Sequence, residues 1–127
     1  MSHHTILCVD DEENILSSLE RIFMEEEDYE IITATSGKEG LEILKERPVD
    51  LIMSDQRMPE MSGTEFLKNA RKLYPDTIRI VLSGYADFDT ITAAINEGEI
   101  YRFIQKPWED SELLSVVKDC LEKYTHI

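Results

Sequence analysis

Val49-Asp50-Leu51-Ile52-Met53-Ser54-Asp55, followed by Gln56-Arg57-Met58-Pro59-Glu60-Met61-Ser62-Gly63, is the stretch that decides the fold. A short apolar run closes on a carboxylate. A turn bearing Pro59 and Gly63 follows. Residues 63–73 then carry Phe66, Leu67 and Ala70 at helical spacing and stop at Tyr74-Pro75. The unit is one strand, one acid at its carboxyl end, one loop and one amphipathic helix.

The same unit recurs in both directions. Residues 5–9, 31–35, 77–82 and 101–105 read as strands. Residues 12–24, 37–47, 87–97 and 109–124 read as helices, with Gly98 ending the fourth. Strands that are continuously apolar belong to a parallel sheet covered on both faces. Five βα units without linker or repeat predict one open, doubly wound α/β domain over residues 1–127. In such domains ligands bind beyond the carboxyl ends of the strands.

Composition bounds the function. The chain has 127 residues, 13 basic against 27 acidic, for a net charge of −14. Phosphate-backbone binding runs on Lys and Arg, so direct nucleic-acid contact is not expected. The acids are concentrated: residues 1–60 hold 16 of them against 5 basic residues. No apolar run nears the ~20 residues of a membrane span, and no secretory signal opens the chain. Cys8 and Cys120 fit two buried thiols in a reducing compartment, and a cytoplasmic location is expected. His3 and His4 read as part of an unstructured terminus. Trp108 divides evenly between an interface anchor and a cap on the local core.

The strand ends collect chemistry. Asp10 and Asp11 follow the first strand, Asp55 the third, Ser83 and Gly84 the fourth, and Lys106 and Pro107 the fifth. Two carboxylates about 5 Å apart repel by roughly 3 kcal/mol at an effective dielectric near 20. One amine does not balance three of them. Hard oxygen ligands without Cys or His point to Mg2+, with Mn2+ as substitute, rather than zinc. A metal, an amine and a hydroxyl around a carboxylate make a cradle for phosphoryl transfer, with the carboxylate as nucleophile.

Val9-Asp10-Asp11-Glu12, Ser54-Asp55 through Gly63, Leu82-Ser83-Gly84 and Phe103-Ile104-Gln105-Lys106-Pro107 together resemble the receiver domain of bacterial two-component response regulators. The resemblance covers essentially the whole chain. It implies a flavodoxin-like (βα)5 fold with strand order 2-1-3-4-5. It implies that Asp55 accepts a phosphoryl group from a sensor histidine kinase or phosphotransfer protein. Asp11, Asp10 (mostly through water), Asp55 and the backbone carbonyl of Arg57 would hold Mg2+. Lys106, Ser83 and the Gly84 amide would bind the phosphoryl group. Phe103 stands where the family has its aromatic switch residue, and Pro107 would follow a cis bond. Arg57 and Tyr85 occupy positions that tune phosphoryl lifetime.

The family's response is a repacking of the face formed by the fourth helix, fifth strand and fifth helix. It implies control of an effector domain in cis or trans, or dimerisation on phosphorylation, and no turnover of an external substrate. The wording around residues 54–59 and 96–108 resembles the receivers that precede HD-GYP or transcriptional activator domains. A haloacid-dehalogenase-type phosphatase fits less well, because Arg57 stands where its second Asp is needed. A nucleotide-binding module would need a glycine-rich first loop instead of Asp10-Asp11-Glu12-Glu13. A receiver-like module that binds partners without phosphorylation is the remaining alternative.

Overall fold

The computed structural model describes residues 3–84 and 87–125. The order of elements is β1 (His4–Val9), α1 (Glu13–Phe23), β2 (Tyr29–Ala34), α2 (Gly37–Glu46), β3 (Leu51–Asp55), α3 (Gly63–Leu73), β4 (Ile78–Ser83), α4 (Phe88–Asn96), β5 (Arg102–Gln105) and α5 (Asp110–Thr125). All four strand pairings are parallel, in the order β2-β1-β3-β4-β5. This is the doubly wound, flavodoxin-like arrangement expected from the sequence.

Alternation along each strand builds two cores. Ile6, Cys8, Leu51, Met53, Ile78, Ile80 and Leu82 pack with α1 and α5 through Leu16, Leu19, Phe23, Leu113, Val117 and Leu121. Leu7, Val9, Ile52 and Val81 face the other way, against Leu44, Phe66, Leu67, Ala70, Ile91 and Ala94. Every residue of β3 is buried, as a central parallel strand requires. Trp108 packs against the first of these cores, as a cap on the local core does.

Most elements differ from the expected bounds by a residue or so, and at β1 and β2 the reasons are visible. β2 begins at Tyr29 and ends at Ala34, earlier than residues 31–35, because Tyr29 packs edge-on against Phe23 at 5.6 Å. His4 is not part of a loose terminus. It opens β1, stacks on Tyr29 at 6.0 Å and donates its backbone N–H to Asp28. The helix starts follow their caps. Ser36 caps α2, and Ser62 with Glu65 forms a capping box on α3.

The end of α4 is held from outside. Its last turn has no basic residue, although the helix dipole favours one there. Arginines from neighbouring elements supply the charge. Arg71 of α3 donates to the Glu97 carbonyl at 3.1 Å. Arg79 of β4, 3% exposed, donates to the carbonyls of Glu99, Gly98, Thr77 and Pro75 at 2.7, 3.2, 2.7 and 3.2 Å. Its guanidinium also lies 4.9 Å from the Tyr101 ring centroid. Gly98, at φ +77°, makes the turn that aims these carbonyls.

Candidate functional site: an acid pocket at the carboxyl edge

The register sets the site. Val9 pairs with Ser54, Asp55 with Leu82, and Leu82 with Ile104. Asp10 and Asp55 therefore leave the sheet at one level, beside the Ser83 end of β4. Lys106 lies just past β5 and reaches back across β4. Its Nζ donates to Asp55 Oδ1 at 2.7 Å and lies 3.5 Å from Asp10 Oδ2. One oxygen each of Asp10, Asp11 and Asp55 lie within 4.8 Å of one another. Asp10 is fully buried, Asp55 7% exposed and Asp11 exposed.

The charges are poorly compensated. Asp10 Oδ1 accepts from the Glu12 N–H at 2.9 Å. Among the described residues, Asp10 Oδ2 is buried without a hydrogen bond, with the Lys106 ammonium 3.5 Å away. Burial pushes the Asp10 carboxyl up to about 6, and the charges of Asp55 and Asp11 add to this; the Glu12 N–H and Lys106 oppose it. For Lys106, burial works against the ammonium, but the hydrogen bond and charge of Asp55, helped by Asp10, outweigh it and hold the amine above its ordinary value. A buried carboxylate oxygen without a donor, facing two further carboxylates, fits a hard divalent cation.

The loop beyond Asp55 is folded back tightly. Gly63 donates its N–H to the Gln56 carbonyl at 2.9 Å. A Cβ at Gly63 would overlap the Asp55 carbonyl oxygen, so only glycine fits there. Gln56, which no sequence pattern marks as a site residue, is buried. Its Oε1 accepts from the Thr64 N–H at 2.9 Å and its Nε2 donates to Thr64 Oγ1 at 3.1 Å. These bonds tie the acid-bearing strand end to the first turn of α3. An amide placed between an acid and a glycine-led helix is the only trace of this in the sequence. Glu60, at φ +70°, sits in a turn where the Met61 N–H donates to the Pro59 carbonyl at 2.7 Å.

The other expected residues are distributed as follows. Ser83 is buried, and its hydroxyl donates to the Gly84 carbonyl at 3.3 Å. The Lys106 N–H donates to the Ser83 carbonyl at 2.8 Å. The Lys106–Pro107 bond is cis. Phe103 is 38% exposed on β5. The Arg57 guanidinium does not pair with the acids of the pocket; it donates through Nε to Asp87, 3.1 Å from Oδ1. Tyr85 lies outside the described residues. A depression of about 510 Å3 next to Lys106 is lined by Phe103, Pro107 and Trp108 among others. A second, of about 500 Å3, lies by Pro48 and Tyr74 and includes none of the residues that carry the chemistry. Among the described residues no helix is long and apolar enough to cross a membrane.

Comparison with known proteins agrees with this geometry. Residues 6–118 match the family model described as the response regulator receiver domain. The hydrogenase transcriptional regulatory protein HoxA of Cupriavidus necator is 41% identical over 118 residues, covering 93% of this chain and 24% of that protein. The sporulation initiation phosphotransferase F of Bacillus subtilis is 32% identical over 125 residues, covering 98% of this chain and 95% of that protein. The crystal structure of the signal receiver domain of an HD domain-containing protein from Pseudomonas fluorescens has a TM-score of 0.90 at 38% identity, covering 98% of this chain and 91% of that one. The chain spans about a quarter of the length of the HoxA proteins it matches. It belongs to the response regulator receiver domain family, the phosphorylation-controlled switch module of two-component systems.

Proposed function

We propose that residues 1–127 act as one receiver unit in which Asp55 takes a phosphoryl group from the phosphohistidine of a sensor kinase or phosphotransfer protein. The observation that carries this is the pairing of Lys106 Nζ with Asp55 Oδ1 at 2.7 Å beside the donorless Asp10 Oδ2. An Asp55 oxygen attacks phosphorus as the N–P bond breaks, and that bond's electron pair returns to the imidazole. Lys106 then exchanges a carboxylate oxygen for a phosphoryl oxygen, and Ser83 and the Gly84 amide hold the others. Asp10, Asp11, Asp55 and the Arg57 backbone carbonyl would hold Mg2+, or Mn2+, whose charge offsets the phosphoryl oxygens. Arg57 and Tyr85 govern water access to the product.

The output is a change of conformation. Drawing Ser83 inward lets Phe103 turn toward the sheet and repacks the face of α4, β5 and α5. That face then controls an effector domain in cis or trans, or a second copy. The chain acts on its own aspartate and turns over no external substrate. Intact mass after acetyl phosphate, with Mg2+ and with EDTA, tests the reading. Wild type gains one phosphoryl group only with Mg2+, and Asp55→Asn gains none. No gain in wild type, from acetyl phosphate or from a histidine kinase, would instead favour a module that binds partners without phosphorylation.

A further inference from the structure

Asp87 stands at the head of α4, where an aspartate normally turns its carboxylate onto the amides of the first helical turn. Here it makes no such bond. Its backbone, at φ −104° and ψ 11°, is outside the extended region from which a capping side chain folds back. Both its oxygens instead face Arg57 Nε, at 3.1 and 3.4 Å. The partners are 30 residues apart and come from different loops, one beyond β3 and one beyond β4. The Asp87 side chain is 14% exposed and that of Arg57 70%. α4 thus begins with an aspartate at its N-cap that makes no side-chain capping bond.

The two possible partnerships of this carboxylate are closely matched. An ion pair with one exposed member and an N-cap bond have similar worth. A modest change in what Arg57 faces therefore decides between them. Arg57 is two residues beyond Asp55. A phosphoryl group on Asp55 brings a charge near −2 and three acceptor oxygens to that strand end. It attracts a guanidinium more strongly than a singly charged carboxylate does.

We propose that Asp87 is a positioning residue with two partners. It holds Arg57 away from the pocket in the unphosphorylated domain, and it caps α4 once Arg57 turns to the phosphoryl group. The exchange rests on Asp55 being the acceptor. It couples chemistry at β3 to order in the first turn of α4 through side chains other than Ser83 and Phe103.

The test is amide exchange by NMR at Asp89 and Thr90, the amides an Asp87 cap would protect. Wild type, Arg57→Gln, Asp87→Asn and Asp87→Ala are compared in EDTA and again after Mg2+ and acetyl phosphate, with intact mass on each sample. In wild type, phosphorylation slows these amides about fivefold, the worth of one cap. Arg57→Gln shows slow exchange before phosphorylation, because Asp87 is already released. Asp87→Asn, which has lost the ion pair and still caps, is slow in both states, and Asp87→Ala is fast in both. The proposal fails if wild-type exchange is unchanged in a fully phosphorylated sample, or if unphosphorylated Arg57→Gln exchanges as fast as Asp87→Ala. Absence of mass gain in wild type would refute the acceptor reading instead. The Arg57→Gln comparison in EDTA still decides whether Asp87 changes partner.

Discussion

Replacing Asp10 by Asn tests how much stability the acid pocket gives up. Folding raises the Asp10 carboxyl from 3.8 to about 6. The folded state therefore binds this proton more tightly than the unfolded chain. The favourable term is fully present below pH 3.8 and is lost as pH rises through 6. Above that, the folded protein carries an ionised group it disfavours by about 3 kcal/mol. Asn removes the charge and keeps an oxygen for the Glu12 N–H. In metal-free buffer at pH 8, Asp10→Asn is expected to be up to about 3 kcal/mol more stable than wild type. That corresponds to roughly 10 °C in Tm for a domain of this size. At pH 4 the gain falls below about 1 kcal/mol. Urea titrations at pH 4, 6 and 8 in EDTA, with the m-value held constant, give the difference directly. A gain that does not vary with pH, or no gain at pH 8, would refute the account of Asp10 as an ionised and under-compensated group.

Three further outcomes follow from the packing. Gly63→Ala is expected to cost about 2 kcal/mol or more, since its Cβ would overlap the Asp55 carbonyl oxygen; urea unfolding measures this, and a neutral result would mean the loop relaxes freely. Arg79→Met removes the donors to four carbonyls and is expected to cost about 3 kcal/mol, with faster amide exchange at residues 97–101. Glu60→Gly relieves a left-handed residue at φ +70° and is expected to raise stability by about 0.5–1 kcal/mol, read as an upward shift in Tm.

The fold was legible because its signals are local. The buried run of β3, the periodic Phe66, Leu67 and Ala70 of α3, and the Pro and Gly stops all lie within one element's reach. So did the strand-end acids and Lys106, which the parallel topology gathers at one edge. Other features required knowing which distant segments meet. Arg79 reads as a lone charge in an apolar strand, and its acceptors are carbonyls that every residue possesses. The Arg57–Asp87 pair joins loops that are distant in the chain, and neither residue alone marks it. Gln56 gives no pattern, because its contacts are to one Thr and to the backbone. His4 gives no local signal of order, because the residues that hold it, Asp28 and Tyr29, lie at the far end of a long connection.

The arginine clamp on α4 also has a mechanical consequence. Arg71 and Arg79 hold the carbonyls of Glu97, Gly98 and Glu99, while at the opposite end Asp87 pairs with Arg57. Among the described residues, the arginine ties of the helix are thus concentrated at its C-terminal end. Its nine residues span about 13 Å at 1.5 Å each, so a tilt of about 10° carries Phe88 roughly 2 Å and leaves Gly98 almost still. Any tilt about that end is largest at Phe88, which is 59% exposed, and fades toward the junction with β5.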